Sequence, residues 1–228
     1  MIYVTGDTHG HIDFAKLKIF ADEKKSLTRG DYVIIAGDFG GVWDPEKLED
    51  DLKYYKELPF TVLFVDGNHE NFDMLEKYPV TEWKGGKVHI IAENIIHLMR
   101  GQVYEIDGKT FFTFGGATST DRYLRREGID WWPQEVPTDA DVVEANKNLA
   151  KVDFKVDYII THACDKRALY YPPLLGKFDR VFYPENIILS NVCDGIGYKH
   201  WYFGHYHVDG ALTDGKKTAL YQKIVCLE

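Results

Sequence analysis

The sequence predicts an α/β fold built on a largely parallel sheet, and two observations carry that prediction. Three hydrophobic runs, Tyr3-Val4-Thr5, Tyr32-Val33-Ile34-Ile35-Ala36 and Val62-Leu63-Phe64-Val65, each lead into a glycine-bearing turn, and these turns recur about every 30 residues, the length of one βαβ unit. Between the runs lie segments with apolar residues at helical spacing. A further series of short β-type segments after Lys87 predicts a second sheet.

Each element follows from local pattern. Phe14, Leu17, Phe20 and Ala21 recur at helical spacing, and Ser26-Leu27-Thr28-Arg29-Gly30 closes that segment. Leu48, Leu52 and Tyr55 predict a second amphipathic helix over residues 45–57, stopped by Pro59. A third strand is predicted over 60–65, followed by a short helix over 71–78. Strands are predicted next over 88–92, 95–99, 102–106 and 110–115, the last two joined across Asp107-Gly108. Residues 119–137 show no period and contain Arg122, Arg125, Arg126, Trp131, Trp132 and Pro133. They are expected to form a long ordered loop over one face, and loops of that length are often functional. Thr138 and Asp141 form a capping-box start to a helix with Val142, Ala145, Leu149 and Val152 on one face, ending near Lys151. Strands over 156–161 and 198–203 end on His162 and on Gly204-His205-Tyr206-His207, and a closing hairpin is predicted from 208–213 and 218–226 across Asp214-Gly215. No repeat or linker interrupts the pattern, so residues 1–228 are expected to form a single domain.

Composition narrows the function classes. Apolar residues make up 45%, aromatics 14% and charged residues 28% of the 228 residues, the balance of a globular rather than a disordered chain. Apolar runs fall far short of the roughly 20 residues a membrane-spanning helix needs, and Met1-Ile2-Tyr3-Val4 enters a strand with no basic leader. A cytoplasmic protein without a membrane partner is expected. Cys164, Cys193 and Cys226 are widely spaced, which argues for reduced thiols over a disulfide framework or a zinc knuckle. A net charge of −9 opposes nonspecific binding to nucleic acid, though it leaves room for a local basic patch.

Asp7, His9, Asp38, Asn68, His162, His205 and His207 all follow predicted strands. A carboxylate at the carboxyl end of a central parallel strand lies in the crevice where open α/β sheets bind ligands. With Asp7 and His9 on one side and Asn68 on the other, Asp38 is placed to bridge two cations about 3.5 to 4 Å apart. Mixed imidazole and carboxylate donors suit Mn, Fe or Zn, and the absence of nearby cysteine argues against a soft-metal site. Taken alone, Asp7 or Asp38 reads as a turn or cap residue; the joint pattern favours metal. His11, His89, His97 and His200 have no motif support and are expected in solvated or packing roles. Trp131 and Trp132 suit anchoring of the loop better than base stacking, and Tyr170-Tyr171-Pro172-Pro173 reads as a turn.

In order, Gly6-Asp7-Thr8-His9-Gly10, Gly37-Asp38-Phe39-Gly40, Gly67-Asn68-His69-Glu70, the lone His162 and Gly204-His205-Tyr206-His207 resemble the calcineurin-like metallophosphoesterase superfamily, from Gly6 to His207. The resemblance implies an α/β four-layer αββα sandwich with two mixed β-sheets flanked by helices. It implies two divalent or trivalent transition-metal ions, one held by Asp7, His9 and His207, the other by Asn68, His162 and His205, with Asp38 shared. The activity implied is hydrolysis of a phosphomonoester or small phosphodiester by a hydroxide bridging the two ions. Asn68 would help stabilise the equatorial oxygens, and His69 would protonate the leaving oxygen. One departure stands out: in the protein Ser/Thr phosphatase branch the second motif reads GDxxDRG, whereas Gly41 and Val42 occupy the places of its later Asp and Arg. The substitute phosphate contact is expected from Arg125 or Arg126, since arginine offers a bidentate fork. A phosphoprotein phosphatase is weakened by that departure and a nuclease by the acidic balance. A non-catalytic scaffold is the remaining alternative, and this chain retains every ligand position.

Overall fold

The structure is a computed structural model and is described for residues 1–176 and 181–228. Side chains alternate across a strand, so a run that is apolar at every position must be covered on both faces, and the first three runs are. The first sheet contains β1 (Ile2–Thr5), β2 (Tyr32–Ile35), β3 (Thr61–Phe64), β4 (Val80–Trp83), β5 (Gly86–Ala92), β6 (Ile95–Leu98) and β13 (Ile224–Cys226), in the order β13-β1-β2-β3-β6-β5-β4. Its centre, β1-β2-β3-β6, is parallel. The second sheet contains β7 (Gln102–Ile106), β8 (Lys109–Phe114), β9 (Tyr158–Thr161), β10 (His200–Phe203), β11 (Gly210–Ala211) and β12 (Lys217–Ala219), in the order β11-β12-β10-β9-β8-β7. Strands β8, β9, β10 and β12 run parallel, with antiparallel edges at β7 and β11.

Three cores hold the layers together. Between the sheets, Val4, Ile34 and Leu63 share one cluster with Tyr104, Phe111, Ile160 and Tyr202. On the outer face of the first sheet, Val33, Ile35 and Phe64 pack with Leu17 and Phe20 of α1 (Ala15–Glu23) and with Leu52 and Tyr55 of α2 (Leu48–Lys56). On the outer face of the second sheet, Phe112, Ile159 and Trp201 pack with Ala145 and Leu149 of α4 (Asp139–Ala150) and with Leu189 and Val192 of α5 (Pro184–Cys193). The short α3 (Phe72–Leu75) follows β3. This is the expected αββα sandwich. No helix among the described residues is long and apolar enough to cross a membrane.

The structure corrects the predicted elements in four places. The β segments after Lys87 do not form one sheet: β6 pairs in parallel with β3, and the chain passes to the second sheet only at Met99-Arg100-Gly101, where Gly101 takes φ 68°. The predicted strand over 218–226 divides into β12 and β13, in different sheets. Asp209 causes the break, because its carboxylate accepts the N–H groups of Tyr221 (2.8 Å), Gln222 (3.0 Å) and Lys223 (3.1 Å) and turns the chain. Helix α2 starts at Leu48 rather than at residue 45, since Asp44 accepts from Glu46 N through its side chain and from Lys47 N through its carbonyl, and so holds a turn ahead of the helix. Strand β4, largely exposed, and helix α5 had no matching expectation.

The loop over 119–137 forms two short 3-10 turns, Arg122–Leu124 and Pro133–Glu135. Trp132 is buried, and its Nε1 donates to Asp73 Oδ2 at 3.0 Å, the anchoring role expected of it.

Candidate metal centre

The parallel strands of both sheets end on one rim, and the side chains that follow them converge there. Asp7 follows β1, Asp38 follows β2, Asn68 follows β3, His162 follows β9, and His205 and His207 follow β10. His9, Asp38, His205 and His207 all adopt positive φ (45°, 50°, 67° and 48°), a strained conformation for non-glycine residues that clusters at functional sites. Glycine is required where neighbouring turns crowd together. A Cβ on Gly67 would stand 2.0 Å from Asp38 Oδ1, and one on Gly204 would stand 2.2 Å from Asp7 Oδ1.

Asp38 lies between two groups of donors. Its Oδ2 is 3.2 Å from His9 Nε2, and its Oδ1 is 3.2 Å from His162 Nε2. On one side, Asp7, His9, Asp38 and His207 each offer a donor atom, all within 4.8 Å of one another. Nothing among the described residues donates a hydrogen bond to the buried Asp7 Oδ2, although His207 Nε2 lies 3.2 Å away. On the other side, His162 Nδ1 donates to Ala36 O at 2.8 Å, while its Nε2 faces Asp38 Oδ1 and Asn68 Oδ1 (3.1 Å). A proton on Nε2 could serve only one of those oxygens, whereas a cation serves both oxygens and the nitrogen. The half-buried His205 ring stands 4.9 Å from that of His162.

The charges agree with the geometry. Burial alone would raise the Asp7 carboxyl, but His207 and His162 outweigh it and hold it below the usual range. Burial opposes protonation of His162 and His9 as well, yet the surrounding carboxylates, Asp38 foremost, push His162 up to about 10 and His9 up to about 9. Burial and the nearby His162 push His205 down to about 3. Two ionised carboxylates in a buried pocket thus draw positive charge to themselves.

Residues 1–209 match the family model for calcineurin-like phosphoesterases. The chain belongs to the calcineurin-like phosphoesterase family. The chain is similar to the lariat debranching enzyme of Schizosaccharomyces pombe, with 30% identity over 56% of this chain and 28% of that protein. Lariat debranching enzyme A of Xenopus laevis is 25% identical over 91% of this chain and 42% of its own length. The chain therefore spans less than half the length of these curated relatives. Among solved structures, phosphopantetheinyl hydrolase from Mycobacterium tuberculosis is similar, with TM-score 0.46 and 17% identity over 96% of this chain and 89% of that one.

Around the donors lies a supporting layer, of which Glu70 alone among the side chains belongs to the motifs. Asp13 Oδ2 lies 2.8 Å from His9 Nδ1, and Tyr221 donates to Asp13 Oδ1 at 3.0 Å while its ring stacks on His207 at 4.5 Å. Buried Lys16 donates to Gly6 O (3.0 Å) and Asp7 O (2.6 Å), and also to Tyr221 O. Glu70 accepts from Phe39 N (2.7 Å) and Gly40 N (3.2 Å), fixing the turn that carries Asp38. The four-residue interval from His9 to Asp13 was the available signal for the first of these. Tyr221, more than 200 residues away in sequence, offered none.

His69 stands at the edge of the centre. Its backbone N–H donates to Asp38 Oδ1 at 2.8 Å, and its ring lies 5.4 Å from that of His9. Burial, helped by Arg125 and His9, lowers the imidazole below its usual range despite Asp38. Arg125 Nη1 is 3.5 Å from His69 Nδ1, and the same guanidinium grips Asp121 through two 2.8 Å bonds. Arg126 is exposed, and its guanidinium makes no hydrogen bond or ion pair among the described residues. Val42 is fully buried in the outer core of the first sheet. His11 is exposed, while His89 and His97 form a buried pair in which His97 meets Asp66 at 3.2 Å. Beside the centre lies a cavity of about 440 Å³ whose wall includes His9, His69, Gly40, Ile12 and Trp43.

Proposed function

We propose that this chain hydrolyses a phosphomonoester or a small phosphodiester at a two-metal centre held by Asp7, His9 and His207, by Asn68, His162 and His205, and by Asp38 between them. The single observation that carries the reading is the two-sided contact of Asp38, 3.2 Å from His9 on one oxygen and 3.2 Å from His162 on the other. Transition ions such as Mn, Fe or Zn, when bound, would polarise the phosphoryl group and lower the pKa of water for attack.

The remaining roles belong to the chain. Asp38 sets the spacing of the two donor groups and, by accepting from His69 N, ties the candidate acid to them. His69 hands a proton to the leaving oxygen, whose alcohol occupies the cavity beside Trp43. Arg125, held by Asp121, supplies positive charge to the phosphoryl oxygens. The phosphoprotein-phosphatase reading loses ground because Val42, in place of the branch's arginine, is buried in a hydrophobic core.

Metal analysis combined with hydrolysis of paired chromogenic monoester and diester substrates, with and without added Mn²⁺, tests the proposal. Hydrolysis that requires the metal is expected. Metal-loaded protein inert towards both esters would favour the scaffold. A nucleic-acid diester is the second reading, favoured by the debranching enzymes among the relatives. It predicts cleavage of an oligonucleotide in preference to the small esters.

A further inference from the structure

An amide side chain can present either its oxygen or its nitrogen to a site, and only the oxygen is a useful metal donor. Asn68 is nearly fully buried, with its Nδ2 3.2 Å from Ser119 Oγ and its Oδ1 3.1 Å from His162 Nε2. Ser119 is held in turn by Glu135, which is wholly buried: Oε1 accepts from Ser119 N at 2.7 Å and Oε2 from Ser119 Oγ at 2.7 Å. Arg100 fixes that stretch of loop by donating to Gln134 O (2.9 Å) and Glu135 O (3.2 Å) while pairing with Asp66, two residues before Asn68.

We infer that Glu135, acting through Ser119, selects the orientation of the Asn68 amide, so that both are positioning residues for the metal donor. The inference rests on the proposed role of Asn68 Oδ1 at the centre. A carboxylate only accepts hydrogen bonds. The single hydroxyl proton of Ser119 is therefore committed to Glu135, and towards Asn68 the hydroxyl has only lone pairs to offer. Those lone pairs require a donor, so Nδ2 turns to Ser119 and Oδ1 turns to the metal side. Glu135→Gln has nearly the same shape but carries one acceptor and one donor. The fixed Ser119 N–H takes its oxygen, its amide nitrogen then donates to the Ser119 hydroxyl, and the hydroxyl proton swings towards Asn68. The Asn68 amide is thereby driven to the opposite orientation.

The test uses wild type, Glu135→Gln, Ser119→Ala and Ser119→Thr in the full chain. In metal-free protein, the Asn68 side-chain amide protons, assigned by their loss in Asn68→Asp, should show an NMR cross-relaxation contact with Ser119 in wild type and Ser119→Thr but not in Glu135→Gln. In Mn²⁺ titrations, Glu135→Gln and Ser119→Ala should weaken one of two ions by about 10- to 100-fold, the usual effect of removing such a supporting partner. Ser119→Thr, which keeps the hydroxyl, should restore wild-type affinity. Unchanged amide contacts in Glu135→Gln, or Ser119→Thr as weak as Ser119→Ala, would overturn the inference. Wild-type protein that binds fewer than two ions would count against the proposed function instead, and the NMR contact in metal-free protein reads the orientation independently of that result.

Discussion

Replacing His69 with asparagine is the perturbation that isolates proton transfer from metal binding. The backbone N–H of His69, not its ring, contacts Asp38, so the substitution keeps that bond and should leave the metals in place. General acid catalysis contributes typically about 10²- to 10⁴-fold. Burial and Arg125 hold the imidazole below its usual range, so only a minor fraction carries the proton at neutral pH, and the expected loss lies near the lower end, about 100-fold. An alkyl phosphate should show that loss in kcat/KM, because an alkoxide leaves poorly without a proton. A p-nitrophenyl ester should lose less than about tenfold, since its leaving group departs unaided. The sign with pH follows: the acid must be protonated, so wild-type activity on the alkyl ester should decline as pH rises through the His69 pKa, and this limb should vanish in the variant. Equal losses on both esters, with metal retained, would refute the role of His69 as acid.

Other substitutions probe the support of the site. Gly67→Ala places a Cβ where Asp38 Oδ1 now stands 2.0 Å away, so the carboxylate must move by more than 1 Å to regain ordinary van der Waals contact; metal stoichiometry should fall, and full occupancy would contradict the close-approach argument. Asp13→Asn weakens the partner of His9 and should cost about 10- to 100-fold in affinity for one ion by calorimetry, an effect that is absent if Asp13 is merely structural. Arg125→Ala should lower kcat/KM by about 10- to 100-fold, the worth of a charge-assisted hydrogen bond, whereas Arg126→Ala should not. Equal effects would contradict the placement of Arg125 beside His69. With His9 raised to about 9 and His162 to about 10, each ion must displace a proton at neutral pH. Affinity should therefore rise about tenfold per pH unit between pH 7 and 9, and a flat profile would show that these imidazoles are already unprotonated.

The legible parts of the molecule were those written in local pattern. Asp7, Asp38, Asn68 and His162 announce themselves because each lies within four residues of the end of a buried strand, and the capping box of Thr138 and Asp141 is present as expected, with Thr138 N 2.7 Å from Asp141 Oδ2. What local pattern could not convey was partner choice. The β5–β6 hairpin carries the same signals in either sheet, and only the pairing of Ile96 with Leu63 decides its membership. Similarly, Thr218 to Cys226 reads as one strand because the residue that breaks it, Asp209, acts through backbone N–H groups 12 to 14 residues away. Arg125 and Arg126 were indistinguishable in sequence. The 3-10 turn at Arg122–Leu124 turns one towards His69 and the other to solvent.

The central claim is that Asp38 bridges two ions. A crystal structure of Mn²⁺-loaded protein, with anomalous scattering measured at the metal edge, tests it most directly. The account predicts two anomalous peaks about 3.5 to 4 Å apart, with one oxygen of Asp38 towards each or shared between them, Asp7, His9 and His207 around the first, and Asn68, His162 and His205 around the second. A single peak, or a second peak from which His162 and His205 turn away, would contradict it.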